Sequence, residues 1–428
     1  MLTMLVLFGL VLLMVLINVP IAVALGLVAT GAMVLTQGVE SLPNVAIEVF
    51  NGATNFPLLA IPLFILAGAI MNSSGISMRL INLASALFGW VRGGLAHVSI
   101  GVSMFFAEIS GSAVADVAAL GSVLIPEMQR KGYSGALAAS ICSSAASLAV
   151  IIPPSIPMIL YAVMAGTSVT QLFVAGIVPG ILGGFGMMAM SYYFAVRYNL
   201  PREDRFSWRR VATTAKEAAW ALMLPVIILG GIFGGFVTAT EGAALAVVAA
   251  LFIGLVVYRE LDWQHLKLAI MEGGVQTAVV MLMVATSALL GSYLTVGGAP
   301  QEMAAAVADF TKNPNMVLLL LNLLFLFLGI FLHSAAAIIL VVPIVMPLVN
   351  SVGIDPVHFG IVVTLNLAIG QQTPPVASVL MVASSIAKVG VWEVSRTNIA
   401  YIGVLLVVLG LVTYVPVVGM GLVYLFYR

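Results

Sequence analysis

Two pairs of adjacent prolines interrupt long apolar stretches of this chain, in IIPPS (151–155) and in QTPPV (372–376). A proline inside a helix removes one backbone hydrogen bond and clashes with the carbonyl one turn earlier, so an adjacent pair frees several carbonyl oxygens. In an apolar environment these oxygens need another partner, which can be protein, water or an ion. Both proline pairs therefore indicate ligand-binding breaks in helices.

Small polar residues interrupt two further apolar regions, 97–129 and 315–350. The interrupting residues are Ser110, Gly111 and Ser112 in the first region, and His333 and Ser334 in the second. We expect each group to face the proline break of its own half of the chain. Several neutral oxygens without a fixed carboxylate suit a hard monovalent cation such as Na⁺ better than a divalent one.

The helices that return from these interruptions would begin near Ala113 and Ala335. Their positive dipole ends would point towards the breaks, where an anionic substrate could bind. Candidates for contacts with that anion are Ser112, Asp116, Ser144, Pro154, His333, Gln371, Pro374 and Pro375. Three candidates have open alternatives: Asp116 could stabilise its helix start, Ser144 could be a helix-packing contact, and His333 could cap the second interruption.

The composition identifies the environment of these breaks. The chain has 428 residues, of which 62% are hydrophobic and 7% charged, and its mean hydropathy is +1.19. About a quarter of the residues in soluble domains are charged, so a soluble globular protein is excluded. The composition predicts an all-α polytopic membrane protein. Because the formal net charge is zero, we expect no nucleic-acid partner.

The sequence lacks common enzyme motifs. It contains no GxxxxGK[ST] phosphate-binding loop, no HExxH and no GxSxG, so we expect neither ATP hydrolysis nor a membrane enzyme. Glu108, Asp116 and Glu241 lie in apolar surroundings, where a carboxylate usually has a function. Polar residues concentrate at two broken sites rather than along a pore, which favours a secondary transporter over a channel.

Apolar segments long enough to cross a bilayer follow one another along the chain. The predicted spans lie near 2–18, 20–37, 56–71, 135–165, 172–196, 218–237, 240–258, 273–295, 357–386 and 398–425. We interpret the two interrupted regions as re-entrant hairpins with arms of about 13–17 residues, which pass the midplane without crossing the membrane. The alternative is one long tilted helix in each region.

Prolines recur at a fixed distance of 221 residues, which indicates a duplication. The pairs are Pro126 and Pro347, Pro153 and Pro374, and Pro154 and Pro375. The predicted units are a first repeat (1–196, with hairpin 97–129 and broken helix 135–165), a connector (197–217), and a second repeat (218–428, with hairpin 315–350 and broken helix 357–386). The connector is rich in arginine and is therefore expected to be cytoplasmic. Because each half contains an odd number of predicted spans, the second repeat has the opposite orientation in the membrane.

Four segments of the chain resemble a known family. They are FFAEISGSAVADVAALGSVLIPEM (105–128), SSAASLAVIIPPS (143–155), GGFVTATEGAA (234–244) and NLAIGQQTPPV (366–376). Together they resemble the large membrane subunit of the tripartite ATP-independent periplasmic (TRAP) transporters, and within that family the sialic acid branch. The resemblance covers essentially the whole chain.

The resemblance implies a fold of the ion transporter superfamily, in which a transport domain moves like an elevator against a scaffold. It implies Na⁺-driven uptake, across the bacterial inner membrane, of an organic carboxylate such as sialic acid or a C4-dicarboxylate. A periplasmic binding protein would deliver the substrate, and a separate small four-helix subunit would be the membrane partner. The Na⁺ ligands would be Ser110, Gly111, Ser112, Ile152, Pro153 and Ser155 in one site, and Ser334, Gly370, Gln372 and Thr373 in the other.

Two other functions remain open from the sequence. One is a stand-alone ion-coupled anion carrier or exchanger of the same fold, which would need no binding protein. The other is an anion channel. No arginine lies near the proposed site, although many sites for organic anions use one. The sequence therefore leaves the identity of the carboxylate open.

Overall fold

The computed structural model describes residues 2–17, 19–110, 113–202, 205–374 and 376–427. Within these ranges every regular element is helical. The helices of the first half are α1 (Leu2–Leu16), α2 (Ile21–Gln37), α3 (Leu42–Ala53), α4 (Ala60–Ser73), α5 (Ile76–Phe88), α6 (Gly94–Ser110), α7 (Ala113–Asp116), α8 (Ser122–Arg130), α9 (Gly135–Ala146), α10 (Ile156–Ala165) and α11 (Val169–Arg197).

The second half continues in the same way. Its helices are α12 (Trp208–Glu217), α13 (Ala219–Phe233), α14 (Ala239–Phe252), α15 (Trp263–Val296), α16 (Ala299–Phe310), α17 (Pro314–Phe331), α18 (Ser334–Ser351), α19 (Pro356–Gly370), α20 (Ser378–Ala387), α21 (Val391–Tyr414) and α22 (Val417–Phe426). A π-helical turn joins α7 to α8, and another extends α14 to residue 257.

The helices fit a bilayer in length and composition. In the described part of the chain, seven helices are long and apolar enough to cross a membrane, and an eighth span results if α12 and α13, bent by 63°, are taken together. The prediction of an all-α polytopic membrane protein is therefore confirmed.

The helix bounds repeat at the spacing of the prolines. Adding 221 to the first residue of α5, α6, α9 and α10 gives 297, 315, 356 and 377, and α16, α17, α19 and α20 begin at 299, 314, 356 and 378. The first interrupted region is helical from 94 and the second from 314, close to the predicted starts. The boundaries of the two repeats stay predictions, as does the inversion of the second repeat across the membrane, which rests on the charge distribution.

Three local features differ from the expected pattern. The apolar segment 398–425 is two helices, because Pro416 has no N–H with which to continue α21. The connector 197–217 contains α12, whose first turn is capped by Ser207. The arms α17 and α18 have 18 residues each and extend about 27 Å at 1.5 Å per residue, so they are longer than predicted and belong to the seven described helices that are long and apolar enough to cross a membrane.

The helices pack in two groups. In the outer group, α15 lies against α2, α3 and α4, and α4 also contacts α14. In the hairpin group, α9 packs on α6, α20 and α21, while α18 packs on α10 and α19. The hairpins and broken helices of both halves therefore share one bundle. Contacts of α15 with α18 and of α4 with α6 join the two groups.

A salt bridge attaches α5 to the turn between α14 and α15. The guanidinium of Arg79 donates to both carboxylate oxygens of Glu260, at 3.1 and 2.6 Å, and lies 3.7 Å from the centroid of the Tyr258 ring. The same guanidinium donates to the Gly75 carbonyl at 3.0 Å. This bidentate geometry is stronger than that of an ordinary surface ion pair.

We expect Arg79→Ala to lower the free energy of unfolding by about 1 kcal/mol, since both partners are partly exposed. Arg79 holds the pKa of the Glu260 carboxyl below its usual value of 4.5. The contribution of the pair is therefore complete above pH 4.5 and is lost as the pH falls through the lowered pKa. Thermal melts across pH check both statements. Arg130→Ala, in an exposed pair with Glu127 at 3.4 Å, is the control and should not change the melt.

Candidate functional site

The first proline break lies between α9 and α10. A short 3₁₀ segment (Ser147–Val150) follows α9, and helical structure resumes only at Ile156. The predicted ligand Ser155 occupies the N-cap position of α10, and its hydroxyl donates to the Val150 carbonyl at 2.8 Å. The break is buried throughout, so its freed backbone groups face protein rather than lipid.

The second proline break follows α19. Gln371 and Gln372 are buried immediately after Gly370, where the helix ends. The hydroxyl of Thr373 donates to the Ile369 carbonyl at 2.9 Å, and Nε2 of Gln372 donates to the Ala368 carbonyl at 3.3 Å. The hydroxyl oxygen of Thr373 keeps lone pairs that a cation can use.

The tip of the second hairpin contacts this break. Gly329 on α17 and Gly370 on α19 approach so closely that a Cβ on Gly370 would lie 2.5 Å from the Gly329 backbone. Two residues separate α17 from α18, and His333 occupies the N-cap position of α18 without a side-chain capping hydrogen bond. Nδ1 of His333 is buried and has no hydrogen-bond partner in the described part of the chain. The structure thus gives no support to the capping alternative for His333.

The tip of the first hairpin is only partly described. Gly111, Ser112 and Pro375 lie outside the described residues, and so do the side chains of Glu108 and Ser110. The roles predicted for these residues stay predictions. Asp116 is described: it ends α7 and is 1% exposed.

A cavity of about 570 Å³ lies where the two groups of helices meet. The hairpin group contributes the beginnings of α7, α10 and α18, together with Gln371 of the second break. The outer group contributes residues of α2, α4 and α15. Three predicted site residues, His333, Ser334 and Gln371, line this one space.

Other predicted site residues lie elsewhere. Ile152 and Pro153 line a separate apolar cavity of about 370 Å³ beside α6 and α11. Pro154 is buried within the first break, and Pro374 is half-buried in the second. The structure therefore joins the second tip and the second break in one cavity but directs part of the first break away from it.

Ser144 and Gln372 belong to a buried polar cluster and are not among the described residues that line the cavity. The Ser144 hydroxyl lies 2.8 Å from Oε1 of Gln372 and 2.7 Å from Oδ1 of Asn398, and Nδ2 of Asn398 donates to Oε1 of Gln372 at 3.2 Å. The hydroxyl has one hydrogen, so it donates to one of the two oxygens at a time. The cluster connects α9, the second break and α21.

Sequence reasoning missed Asn398 and a second buried amide pair. Nδ2 of Asn366 donates to Oδ1 of Asn322 at 2.6 Å, and Nδ2 of Asn322 donates to Thr413 at 3.2 Å. An asparagine inside an apolar run was the available signal, because a buried amide needs partners.

Glu241 has a structural role. Its carboxylate accepts from the Thr238 backbone N–H at 2.8 Å and from the Thr238 hydroxyl at 3.0 Å, which completes a capping box at the start of α14. The spacing Thr-x-x-Glu is the sequence signal of this motif.

Comparison with known proteins places this architecture in a family. The sequence model of the family described as "Tripartite ATP-independent periplasmic transporter, DctM component" matches residues 8–418. The chain belongs to this family. The TRAP resemblance is thereby confirmed, as is the prediction of a transporter subunit rather than an enzyme.

Several relatives are similar along nearly the whole chain. The isethionate TRAP transporter permease protein DctMQ of Oleidesulfovibrio alaskensis is 42% identical over 97% of this chain, which spans 65% of that relative's length. The C4-dicarboxylate TRAP transporter large permease protein DctM of Pseudomonas aeruginosa is 41% identical over 92% of both chains. TRAP large permeases are inner-membrane proteins that work with a substrate-binding protein and a small membrane subunit, so the predicted localisation is confirmed.

Two further proteins are similar to this chain, one in sequence and one in fold. The sialic acid permease SiaM of Vibrio cholerae is 38% identical over 93% of this chain, no more than the C4-dicarboxylate relative, so the sialic acid branch stays a prediction. Among solved structures, the YdaH transporter of Alcanivorax borkumensis superposes with a TM-score of 0.64 over 90% of each chain at 16% identity. That likeness concerns the fold alone.

Proposed function

We propose that this TRAP large permease couples Na⁺ influx to the uptake of an organic carboxylate that a periplasmic binding protein delivers. The observation that carries the proposal is the cavity between the two groups of helices, where the second hairpin tip, the second break and the beginnings of interrupted helices meet. In transporters, such discontinuous helices form the sites for substrates and coupling ions.

Helix ends supply the attraction for an anion. The first residues of α10 and α18 line the cavity, and the first N–H groups of a helix lack intrahelical acceptors. The positive ends of both helix dipoles therefore lie at the cavity, where a carboxylate is stabilised. No Lys or Arg side chain is among the described residues that line it, so these backbone groups replace the missing arginine.

Neutral oxygens support the proposed Na⁺ site of the second half. Ser334 is 1% exposed at the hairpin tip, and Gly370 and Thr373 lie at the break that this tip contacts. Their hydroxyl and carbonyl oxygens are suitable hard ligands for Na⁺. The corresponding site of the first half would use Ser110 to Ser112.

The two groups of helices support an elevator mechanism. The hairpin group would be the transport domain and the outer group the scaffold. The contact between them at the cavity is largely apolar, through Val279, Val280 and Met283 of α15. Because these apolar side chains form no ion pairs, one group of helices can slide against the other.

A liposome experiment tests the proposed coupling. The permease and its small subunit are reconstituted in liposomes, and the binding protein is added outside. Uptake is followed, with and without an inward Na⁺ gradient, for a radiolabelled mixture of three kinds of organic carboxylate: isovalerate (a short monocarboxylate), succinate (a C4-dicarboxylate) and N-acetylneuraminate (a sialic acid). Uptake should require both the gradient and the binding protein. Uptake that needs neither would overturn the proposal and support the alternative, a stand-alone anion carrier.

We expect Ser334→Ala to raise the Na⁺ concentration for half-maximal uptake about three- to tenfold, since one Na⁺ ligand is removed at a loss of about 1 kcal/mol. The measurement is the Na⁺ dependence of the initial rate in the same liposomes. Ser351→Ala, at the exposed end of the same helix, is the control and should leave it unchanged. An unaltered Na⁺ dependence in Ser334→Ala would remove this residue from the site.

A further inference from the structure

Most of the described residues that line the 570 Å³ cavity are apolar, and three of the four polar ones, His333, Ser334 and Gln371, lie at the second hairpin tip and the second break. We infer that the substrate is a compact anion with a single charged group and an apolar body, whose charged group binds beside His333 and Gln371. This inference rests on the transport function proposed above and narrows its substrate class. C4-dicarboxylates and polyhydroxylated sugar acids are therefore not the expected substrates.

Unpartnered polar atoms identify the end that holds the charge. Gln371 is 2% exposed, lines the cavity, and its Nε2 has no hydrogen-bond partner in the described part of the chain. Nδ1 of His333 is also buried and also lacks a hydrogen-bond partner among the described residues. In the tautomer that carries a hydrogen on Nδ1, this atom can donate a hydrogen bond. A buried polar atom without a partner is unfavourable, so a bound anion would supply what both side chains lack.

The N-terminus of α18 adds to this polar end. The helix has 18 residues, begins at Ser334 and lacks a side-chain cap, and Ser334 and Ala335 line the cavity. Its first N–H groups are therefore available to a ligand oxygen. The helix end, Gln371 and His333 together can bind one carboxylate or a chemically similar group.

The wall formed by the outer group is apolar. Ile65 of α4 and Val279, Val280 and Met283 of α15 contribute it, and no charged side chain is among the described lining residues. Gln276 is the polar residue that α15 adds, and it is exposed. A second carboxylate or a row of hydroxyls would lose water at this wall, where Gln276 is the one polar side chain among the described lining residues of α15. A hydrocarbon group would gain from the same contact.

Direct binding measurements test the inference. The full chain, purified with its small subunit and without the binding protein, is titrated in Na⁺ buffer with isovalerate, succinate and N-acetylneuraminate. Isovalerate should bind at least tenfold more tightly than the other two. If succinate or N-acetylneuraminate binds as tightly as isovalerate, the inference is wrong while the proposed function stands. If none of the three binds, the anion site itself is misplaced and both fail.

A gain-of-function variant gives a second test. Met283→Gln adds an amide to the apolar wall with little change in volume, and it should reduce the preference for isovalerate over succinate at least fivefold. Met281→Gln, a nearby substitution outside the cavity lining, is the matched control and should keep the original preference. An unchanged preference in Met283→Gln would contradict the assignment of this wall to the substrate's apolar part.

Discussion

Replacing Gly370 with alanine is expected to abolish most transport and to destabilise the protein by about 3 kcal/mol. The new Cβ would lie 2.5 Å from the backbone of Gly329, closer than real Cβ contacts, and backbone atoms cannot rotate away as a side chain can. Overpacking of this kind typically destabilises by about 1–3 kcal/mol. It would also separate the second hairpin tip from the second break, which together form one end of the cavity. Thermal melts and liposome uptake measure the two effects.

A graded series of glycine variants sharpens this prediction. A Cβ on Gly329 would lie 3.0 Å from the Gly370 Cα, so Gly329→Ala should have a smaller effect of the same sign. Gly403 on α21 has open space around it, and Gly403→Ala should be neutral or slightly stabilising. Any other order of the three melting temperatures would show that this backbone contact does not govern stability.

Asn398→Leu is expected to lower the free energy of unfolding by about 2 kcal/mol. The substitution removes the two contacts that Asn398 makes in the buried cluster and leaves the hydrogen bond from the Ser144 hydroxyl to Oε1 of Gln372 in place. A buried hydrogen bond contributes about 0.5–1.5 kcal/mol, so the loss of two such contacts gives an effect of about this size. Because Gln372 belongs to the second break, we also expect weaker Na⁺ activation of uptake.

A double-mutant cycle tests whether the cluster acts as a unit. Ser144→Ala and Asn398→Leu should show a coupling of at least about 0.5 kcal/mol, as residues in one hydrogen-bond network do. Thr397→Ala, at the neighbouring position, serves as the control and should change stability by less than about 0.5 kcal/mol. Strict additivity of the two cluster variants would mean that the three side chains do not depend on one another.

Local chemistry made much of the fold predictable. The proline pairs located both breaks, because a ring without an N–H stops a helix wherever the chain runs. Small polar residues located both hairpins, the 221-residue recurrence aligned them, and helix starts such as 135 and 356 follow it. His333, Ser334 and Gln371 were expected near one another, and they line one cavity.

Other site features were not predictable because they depend on which helices become neighbours. Ser144 was an expected anion contact, yet its described partners are Gln372 and Asn398. Ile152 and Pro153 were expected beside Ser155, yet they line another cavity, since the break directs successive residues to different sides. The packing energy is the sum of many weak contacts between side chains that can lie far apart in the sequence. No local sequence pattern therefore specifies which helices become neighbours.

The sequence by itself determined the class of the protein, its duplication and the positions of the breaks. These follow from hydropathy and from the stereochemistry of proline, which act over a few residues. Only the tertiary structure decided that Gly329 contacts Gly370 and that α15 provides an apolar wall opposite in character to His333 and Gln371. Those features join segments that are far apart in the chain. The contacts between these segments contribute to stability only after the helices have packed.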